Sequence, residues 1–587
     1  MFYSKSHSSL PRAIEEVNRR ARDATRAIIA LPPDCVDEQT DEEELDDDIL
    51  SGEDVPLEIP GSVEIEFEND DDEEEESLVR PLAKRKRSSQ TELKWKKMTP
   101  CSNITRTEGA NERKTEVIEK FSNQNPLQIF ESIFDDSVFE LILSQTMLFA
   151  QQKNDHKFTV SKEELKMFFG ILYLSGYNRL ARERCYWSLD EDIGVKCVSS
   201  CMPRTRFQEI KKYLHFADNS LIDQSDRMYK LRPLMVLLNS KFRQWGIFHE
   251  NLSIDEAMVK YFGRHPTKQF IRGKPIRFGY KNWTLCSSDG YCYAFDTYCG
   301  AKQEMSVSSE KIPLGSKVVF QLLSNVPYPS DHTVFFDNFF TSYDLLVNLQ
   351  CKGFRATGTL RENRAGRPPL PSSKDLKKKP RGHFDYRFEK ENSILVAKWV
   401  DNAVVTIGTN YDVVEPLDSV RRWSATEKKK VSVSRPCVYS SYNSGMGGVD
   451  LMDQATNNYR IAIRGKKWWW VLFTHMLNVT MVNAWKIHKT ATAEVAEQME
   501  LLDFVRNVAR SYLFLSRKGN RQSYRRTPKP GSVPQSVVSD PEGHFPEKLE
   551  KQQRCAVCHA RIRWRCKKCI QTLCIERNCF EKFHTGG

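Results

Sequence analysis

Charge is segregated along this chain, and that segregation limits which parts of it can fold. Residues 34–76 hold 23 Asp and Glu and no Lys or Arg. A stretch of that kind, with few aromatic side chains and no sustained apolar period, buries too little apolar surface to offset the entropy of ordering its backbone. Residues 1–111 are therefore expected to form a disordered acidic N-terminal region. Residues 77–587 carry 82 basic and 52 acidic residues, a net +30, whereas the whole chain of 587 residues is only +10. A body this basic favours a polyanionic partner, because each phosphate contact releases condensed counterions.

The rest of the composition narrows the class. Apolar residues make up 40% of the chain, with 32 Phe, 20 Tyr and 11 Trp, enough to build real cores beyond the acidic region. The length implies roughly three to five folding units. Met1–Pro32 lacks the basic, apolar and small-residue succession of a secretory signal, and no apolar stretch of about 18 residues runs uninterrupted. The nearest, Trp468–Trp485, is broken by Thr474, His475, Asn478, Thr480 and Asn483 and reads as a buried helix. Neither a membrane nor a small-molecule substrate is expected as partner.

Texture changes along the chain mark its organisation. Directly after the acidic run, Lys84, Arg85, Lys86 and Arg87 form a compact cluster of the kind read by nuclear import machinery. Apolar residues recur three and four apart in Leu127–Phe134 and Glu163–Leu174, so a helical domain is expected over 112–250. Short β-rich runs follow at Asn251–Ile254, Thr284–Cys286, Tyr291–Thr297, Val318–Leu322 and His332–Phe336. Residues 364–435, with a Pro- and Lys-rich start and β-like runs at Ile394–Val400 and Ala403–Ile407, read as an insertion. Helical patterning returns from about 451 to 515, and 516–550 reads as a flexible basic linker.

Candidate chemistry lies where strands end. Asp255 follows Asn251–Ile254 and Asp337 follows Val334–Phe336, so each carboxylate is expected at a sheet rim, where α/β sheets bind ligands. Gly447 and Gly448 lead into a helix that carries Asp450 and Asp453 three apart, on one face. Carboxylates held this way suit divalent cations that activate an attacking oxygen and stabilise a leaving one in phosphoryl transfer. Beside them, Arg264, Lys268, Arg272, Lys274, Arg277 and Lys281 put six cations in 18 residues, interleaved with Tyr261, Phe262, Phe270, Phe278 and Tyr280. Phosphate contact and base stacking account for that mixture, as does a basic hairpin with one buried aromatic side. Lys466, Lys467 and Trp468 form a second such group.

The C-terminus is governed by cysteine. Six of sixteen cysteines lie between Cys555 and Cys579, as Cys555-x2-Cys558, Cys566-x2-Cys569 and Cys574-x4-Cys579, with His584 beyond. Such knuckles bring two thiolates to one zinc ion, and a segment of this size needs the metal to fold. Seven ligands are one short of two closed sites. His559 is the nearest candidate eighth, though it also reads as a surface histidine, and the sharing of ligands between ions stays open. Arg561, Arg563 and Arg565 are candidate phosphate contacts on this domain, and a protein-binding finger is the alternative use.

Several of these blocks, in this order, resemble the piggyBac family of DNA transposases and their domesticated vertebrate relatives. They are Leu252–Glu256 with Tyr261–Arg264 and Arg272–Lys281, Phe336–Ser342, Tyr442-Asn443 with Gly447–Asp450 and Asp453-Gln454, Ile463–Trp468, and the terminal cysteines. The resemblance spans roughly 112–587 and implies an α/β multidomain protein. Its ribonuclease-H-like catalytic core (251–363 and 436–459) would be interrupted by the β-rich insertion (364–435). A helical dimerisation and DNA-binding domain (112–250 and 460–515) would flank it, and a cross-brace-type zinc finger (551–587) would close the chain. Asp255 on the first strand, Asp337 after the fourth, Asp450 and the additional Asp453 would be catalytic, with Mg2+ or Mn2+. Two Zn2+ per chain would occupy the finger, and Trp468 would stack on an extruded base. The implied activity is cut-and-paste transposition by a nuclear homodimer: binding of terminal inverted repeats, excision through hairpin ends and joining at TTAA. The alternatives are a domesticated DNA-binding or regulatory protein without transposition, and a structure-specific nuclease that cuts without joining.

Overall fold

The computed structural model describes residues 93–98, 107–263, 265–271, 276, 278–300, 312–424, 427–492, 494–515, 538 and 543–585. It also describes the backbone of three earlier strands, Ser4–His7, Ala24–Ala30 and Val63–Glu68. The chain divides into two compact units. One comprises residues 1–124, 239–458 and 464–501, the other 125–238, 459–463 and 502–587.

The first unit is built on a mixed sheet. Five strands lie at its centre: β1 (Asn251–Lys260), β2 (Phe278–Ser287), β3 (Cys292–Thr297), β4 (Thr333–Phe336) and β5 (Arg355–Thr359). Their spatial order is β3-β2-β1-β4-β5. The β1–β2 and β2–β3 pairs are antiparallel, and the β1–β4 and β4–β5 pairs are parallel. Every residue of β2 is buried, as expected of a central strand covered on both faces. The sheet continues past β5 into three insertion strands, β6 (Phe384–Glu389), β7 (Ile394–Val400) and β8 (Val404–Thr409), in the order β5-β8-β7-β6. A separate ribbon, β9 (Leu417–Ser424) with β10 (Lys429–Pro436), completes the insertion.

Three helices follow: α1 (Cys437–Gly445), α2 (Gly448–Asn458) and α3 (Trp470–Ala491). Buried side chains run almost all round α3, which carries the interrupted apolar run at Trp468–Trp485. Among the described residues, no helix is long and apolar enough to cross a membrane. The sequence reading assigns α3 to the helical domain, but it belongs to the sheet unit. The reason is polar: the Asn483 amide accepts from the Cys292 N–H and donates to the Cys292 carbonyl, both at 2.8 Å, which fastens α3 to β3.

Other boundaries also shift. The helix Leu314–Leu323 occupies the run Val318–Leu322 expected as a strand, because a short apolar run does not separate helix from strand by periodicity. Within the region expected to be disordered, Trp95–Lys96 adds a strand to β6, and Lys94 and Lys97 pair with Glu391 and Asp385 at 2.8 Å each. The three earlier strands join the opposite edge, where Ala24–Ala30 pairs with Gln269–Phe270.

The second unit has the expected helical periodicity. Its helices Pro126–Ile133, Asp136–Gln152, Lys162–Tyr177 and Arg204–Tyr213 bury an aromatic cluster in which Phe130 meets Phe134, Tyr173 and Tyr512. Capping boxes at Asn125/Gln128 and Ser161/Glu164 start two of them. The C-terminal cysteine-rich segment clusters in the same unit.

Candidate active site and metal centres

Parallel pairing of β1 with β4 sets the acid positions. Ile254 lies opposite Phe336, so the next residue on each strand, Asp255 and Asp337, stands side by side on strands about 5 Å apart. Asp337 directly follows the end of β4, whereas Asp255, expected just after a strand, lies inside β1, which runs on to Lys260 because it keeps pairing with β2 through Asp255↔Thr284. The turn after Asp337 is tightly held. Its carboxylate accepts the Phe339 N–H at 2.9 Å, and its carbonyl accepts the Thr341 hydroxyl at 2.6 Å. Asp255 accepts the Glu256 N–H at 2.7 Å. Both carboxylates are half-buried.

Two close approaches bring the third element in. A Cβ on Gly448 would stand 2.0 Å from the Ser287 carbonyl and 2.5 Å from the Ser253 hydroxyl, so only glycine lets α2 begin directly against β1 and β2. Two residues on, Asp450 is exposed in the first turn of α2, and half-buried Asp453 follows one turn later. A Cβ on Gly445 would lie 2.3 Å from the Phe335 ring, which seats the end of α1 on β4.

Sequence reasoning missed one neighbour of these acids. Tyr442, on α1, has its phenol pushed well above the usual range, first by burial and then by the nearby carboxylates of Asp337 and Asp255. Its hydroxyl lies 3.5 Å from the Thr359 hydroxyl at the end of β5. The Tyr442-Asn443 pair in the family resemblance was the available signal. Asp255, Asp337 and Tyr442 thus lie together, and α2 with Asp450 and Asp453 begins against the same sheet. Among the described residues, however, the groups of three or more Cys, His, Asp or Glu with ligand atoms within 4.8 Å of one another are both in the C-terminal domain, not among these acids.

The two described lysines of the basic hairpin beside β1 are not the surface cations expected. Lys281 is buried, paired with buried Glu256 at 2.9 Å, and its ammonium sits 4.0 Å over the Trp283 ring. Lys268 is also buried and donates to the carbonyls of Gly263 at 2.8 Å and Phe262 at 3.3 Å. The DNA contacts expected of these two lysines are therefore withdrawn, because their ammonium groups serve the hairpin's own packing. Arg264, Arg272, Lys274 and Arg277 lie outside the described residues, as do Lys84, Arg85, Lys86 and Arg87. Lys466 is exposed, and Lys467 lies over the buried Trp469 ring. Half-buried Trp468 stacks on His265 with centroids 4.0 Å apart.

Eight side chains of the C-terminal domain form two four-ligand groups: His544, Cys566, Cys569 and His584 in one, and Cys555, Cys558, Cys574 and Cys579 in the other. Cys566-Cys569 falls between the two pairs of the second group, so the groups interleave as a cross-brace. The eighth ligand is His544, from what reads in sequence as linker. His559 is excluded: it is exposed at φ 60° in the turn after the Cys555 knuckle. His544 Nδ1 lies 3.3 Å from Cys566 Sγ and 3.4 Å from Cys569 Sγ. Cys569 Sγ lies 3.5 Å from His584 Nε2, and Cys558 Sγ lies 3.2 Å from Cys574 Sγ. A tetrahedral zinc ion sets N···S and S···S edges of about 3.5 and 3.8 Å, so the donor sets fit zinc.

The surroundings split the thiols. Backbone N–H groups, led by that of Ala560, push the Cys558 thiol down to about 6, and a hydrogen bond from Cys569 pushes Cys566 down to about 4. The same sulfur pair pushes Cys569 up, and burial pushes Cys574 and Cys579 up. His584 Nδ1 is 2.6 Å from the Phe580 carbonyl, which makes it the donor there and leaves Nε2 for a metal. Arg561 and Arg563 are exposed, whereas Arg565 is paired at 3.1 Å with Glu547.

Comparison with known proteins places this architecture. The family model described as Transposase IS4 matches residues 125–485. Human piggyBac transposable element-derived protein 3 is 38% identical over 470 residues, covering 79% of this chain and 76% of that protein. Human piggyBac transposable element-derived protein 2 is 32% identical over 562 residues, covering 95% and 93%. The cryo-EM structure of a piggyBac transposase synaptic complex with hairpin DNA has a TM-score of 0.55 at 20% identity. It covers 77% of this chain and 97% of that one, a likeness of fold. The chain belongs to the piggyBac family of transposases and transposable element-derived proteins.

Proposed function

We propose that this protein is a metal-dependent DNA transposase whose ribonuclease-H-like core carries Asp255, Asp337, Asp450 and Asp453 as its acid set. The observation that carries the reading is the adjacency set by parallel register: Asp255 within β1 stands beside Asp337 just after β4, and a helix pinned by Gly448 begins against the same sheet. The five-strand order β3-β2-β1-β4-β5 supports the core assignment. All four acids offer hard oxygen donors, which suit Mg2+ or Mn2+. Such a cation, when bound, would stabilise charge on the attacking and leaving oxygens of an in-line displacement. The chain's part is to hold Asp255 within β1 and Asp337 just after β4, with the Asp337 turn fixed by its own hydrogen bonds.

The substrate is double-stranded DNA with terminal inverted repeats, excised through hairpin ends and joined at TTAA. The solved relative's title supports a DNA partner, since that complex contains hairpin DNA. Two element ends need two active sites, so the working form is a homodimer. Zn2+, two per chain, folds the C-terminal domain, whose exposed Arg561 and Arg563 face the repeats. Lys84, Arg85, Lys86 and Arg87 direct the chain to the nucleus.

One observation favours a second reading, a domesticated DNA-binding protein without transposition: both matched human proteins are described as transposable element-derived. The two are separated by an excision assay in cells with a reporter flanked by the protein's own terminal repeats. Clean TTAA repair with the native chain, lost in Asp255→Ala, Asp337→Ala and Asp450→Ala, establishes the transposase. No excision at normal expression establishes the domesticated form.

A further inference from the structure

The insertion carries a surface that the strand-end chemistry does not use. Ribbon β9–β10 has two unlike faces, fixed by the pairings Val420↔Val433, Arg421↔Ser432, Arg422↔Val431 and Trp423↔Lys430. The inner face places Val420, Val431 and buried Val433 on a cluster with Trp399, Ile407 and Tyr439. The outer face shows Ser419, Arg421, Trp423, Lys430, Ser432 and Ser434, all exposed.

Tryptophan is costly to leave in water, yet Trp423 is 61% exposed near the ribbon's tip. Its backbone is held from below, where the Arg381 guanidinium donates to the Trp423 carbonyl at 3.1 Å and pairs with Asp401. The ring is thus presented from an anchored strand. The charges around it divide the same way. Arg422, Lys429 and Arg435 are paired with Asp401, Glu427 and Asp418, while Arg421, Lys428 and Lys430 have no ion pair among the described residues. Three uncommitted cations around one open aromatic ring, with only serines between, match a phosphate backbone carrying an unstacked base.

We propose that the outer face of this ribbon binds a single-stranded or locally opened nucleic-acid segment, with Trp423 stacking on a base and Arg421, Lys428 and Lys430 contacting phosphates. This surface lies in the insertion, on the ribbon face turned away from the cluster that holds Tyr439 and Tyr442, and its binding does not depend on transposition.

The test uses the full-length protein and a 20-nucleotide mixed-sequence DNA, offered as single strand and as duplex, with affinity followed by fluorescence anisotropy across salt. Trp423→Ala, a surface change, is expected to weaken single-strand binding at least about fivefold and duplex binding much less. Arg421→Ser/Lys428→Ser/Lys430→Ser is expected to reduce the single-strand salt slope by about 2. A control, Lys377→Ser/Lys378→Ser/Lys379→Ser, removes equal charge from an exposed turn elsewhere in the insertion. Unchanged single-strand affinity in the ribbon variants overturns the proposal, as does an equal loss in the control or a loss confined to duplex. If Trp423→Ala acts only while residues 34–76 are present, the face is occupied by that acidic segment, and the proposal is again overturned.

Discussion

The C-terminal domain and the sheet rim both gather metal-ligating side chains, and they do so in opposite ways. In the C-terminal domain eight ligands from 41 residues come within contact distance, and the ligand cysteines themselves form much of two small cores. At the rim, acids 195 residues apart in sequence are placed by strand register and a glycine contact, stand half-buried or exposed, and do not close into a compact group. On the proposed reading, the first arrangement depends on its ion for folding and the second stands on a sheet that does not, the difference between a closed structural site and an open reactive one.

Several experiments would break or sharpen that contrast. The largest effect is expected from a strong zinc chelator, which should unfold residues 543–585, since structural zinc supplies on the order of 10 kcal/mol in small domains. Hydrogen exchange should show protection lost there and kept in β1, β2 and β4. Loss of protection across the sheet would erase the distinction. Next, Asp337→Asn should lower DNA cleavage by about a thousandfold or more while moving the thermal midpoint by only about 2 °C. A variant that also melted early would make the acid structural.

Removing Glu256 probes the scaffold instead of the rim. Glu256→Ala leaves the Lys281 ammonium buried without its carboxylate and should cost about 3–5 kcal/mol in denaturant unfolding. A near-neutral result would return Lys281 to the surface and restore it as a DNA contact. The smallest effects distinguish two histidines by elemental analysis. His544→Ala should reduce bound zinc from two per chain toward one, while His559→Ala should leave it at two.

These contrasts also set what the sequence could reveal. Cysteine spacing is local, so both knuckles and most ligands were legible at once; His544 was not, because it precedes the nearest cysteine by eleven residues in a stretch of mixed charge that holds no other Cys or His. Patterning places Asp337 just after its strand but ends the first strand at Ile254, short of Lys260, which misplaces Asp255 at an end; and the adjacency of the two acids depends on a parallel register between strands about 80 residues apart, which no periodicity encodes. Only the family resemblance joined them to Asp450. Lys268 and Lys281 misled because charge was read as exposure, whereas carbonyls, Glu256 and the Trp283 ring offset their burial. Val318–Leu322 misled because two adjacent valines in a short run suit either element.

His544 and His584 open and close the C-terminal domain, belong to the same ligand group, and have ring centroids 4.2 Å apart. An ion held by both would staple chain entry to chain exit at one point, and the 39 residues between them would make a closed loop. Tension applied along the chain would be borne by that staple and not passed through the knuckles. Such a module can be carried on a tether of any length, or spliced between two other segments, without disturbing its interior.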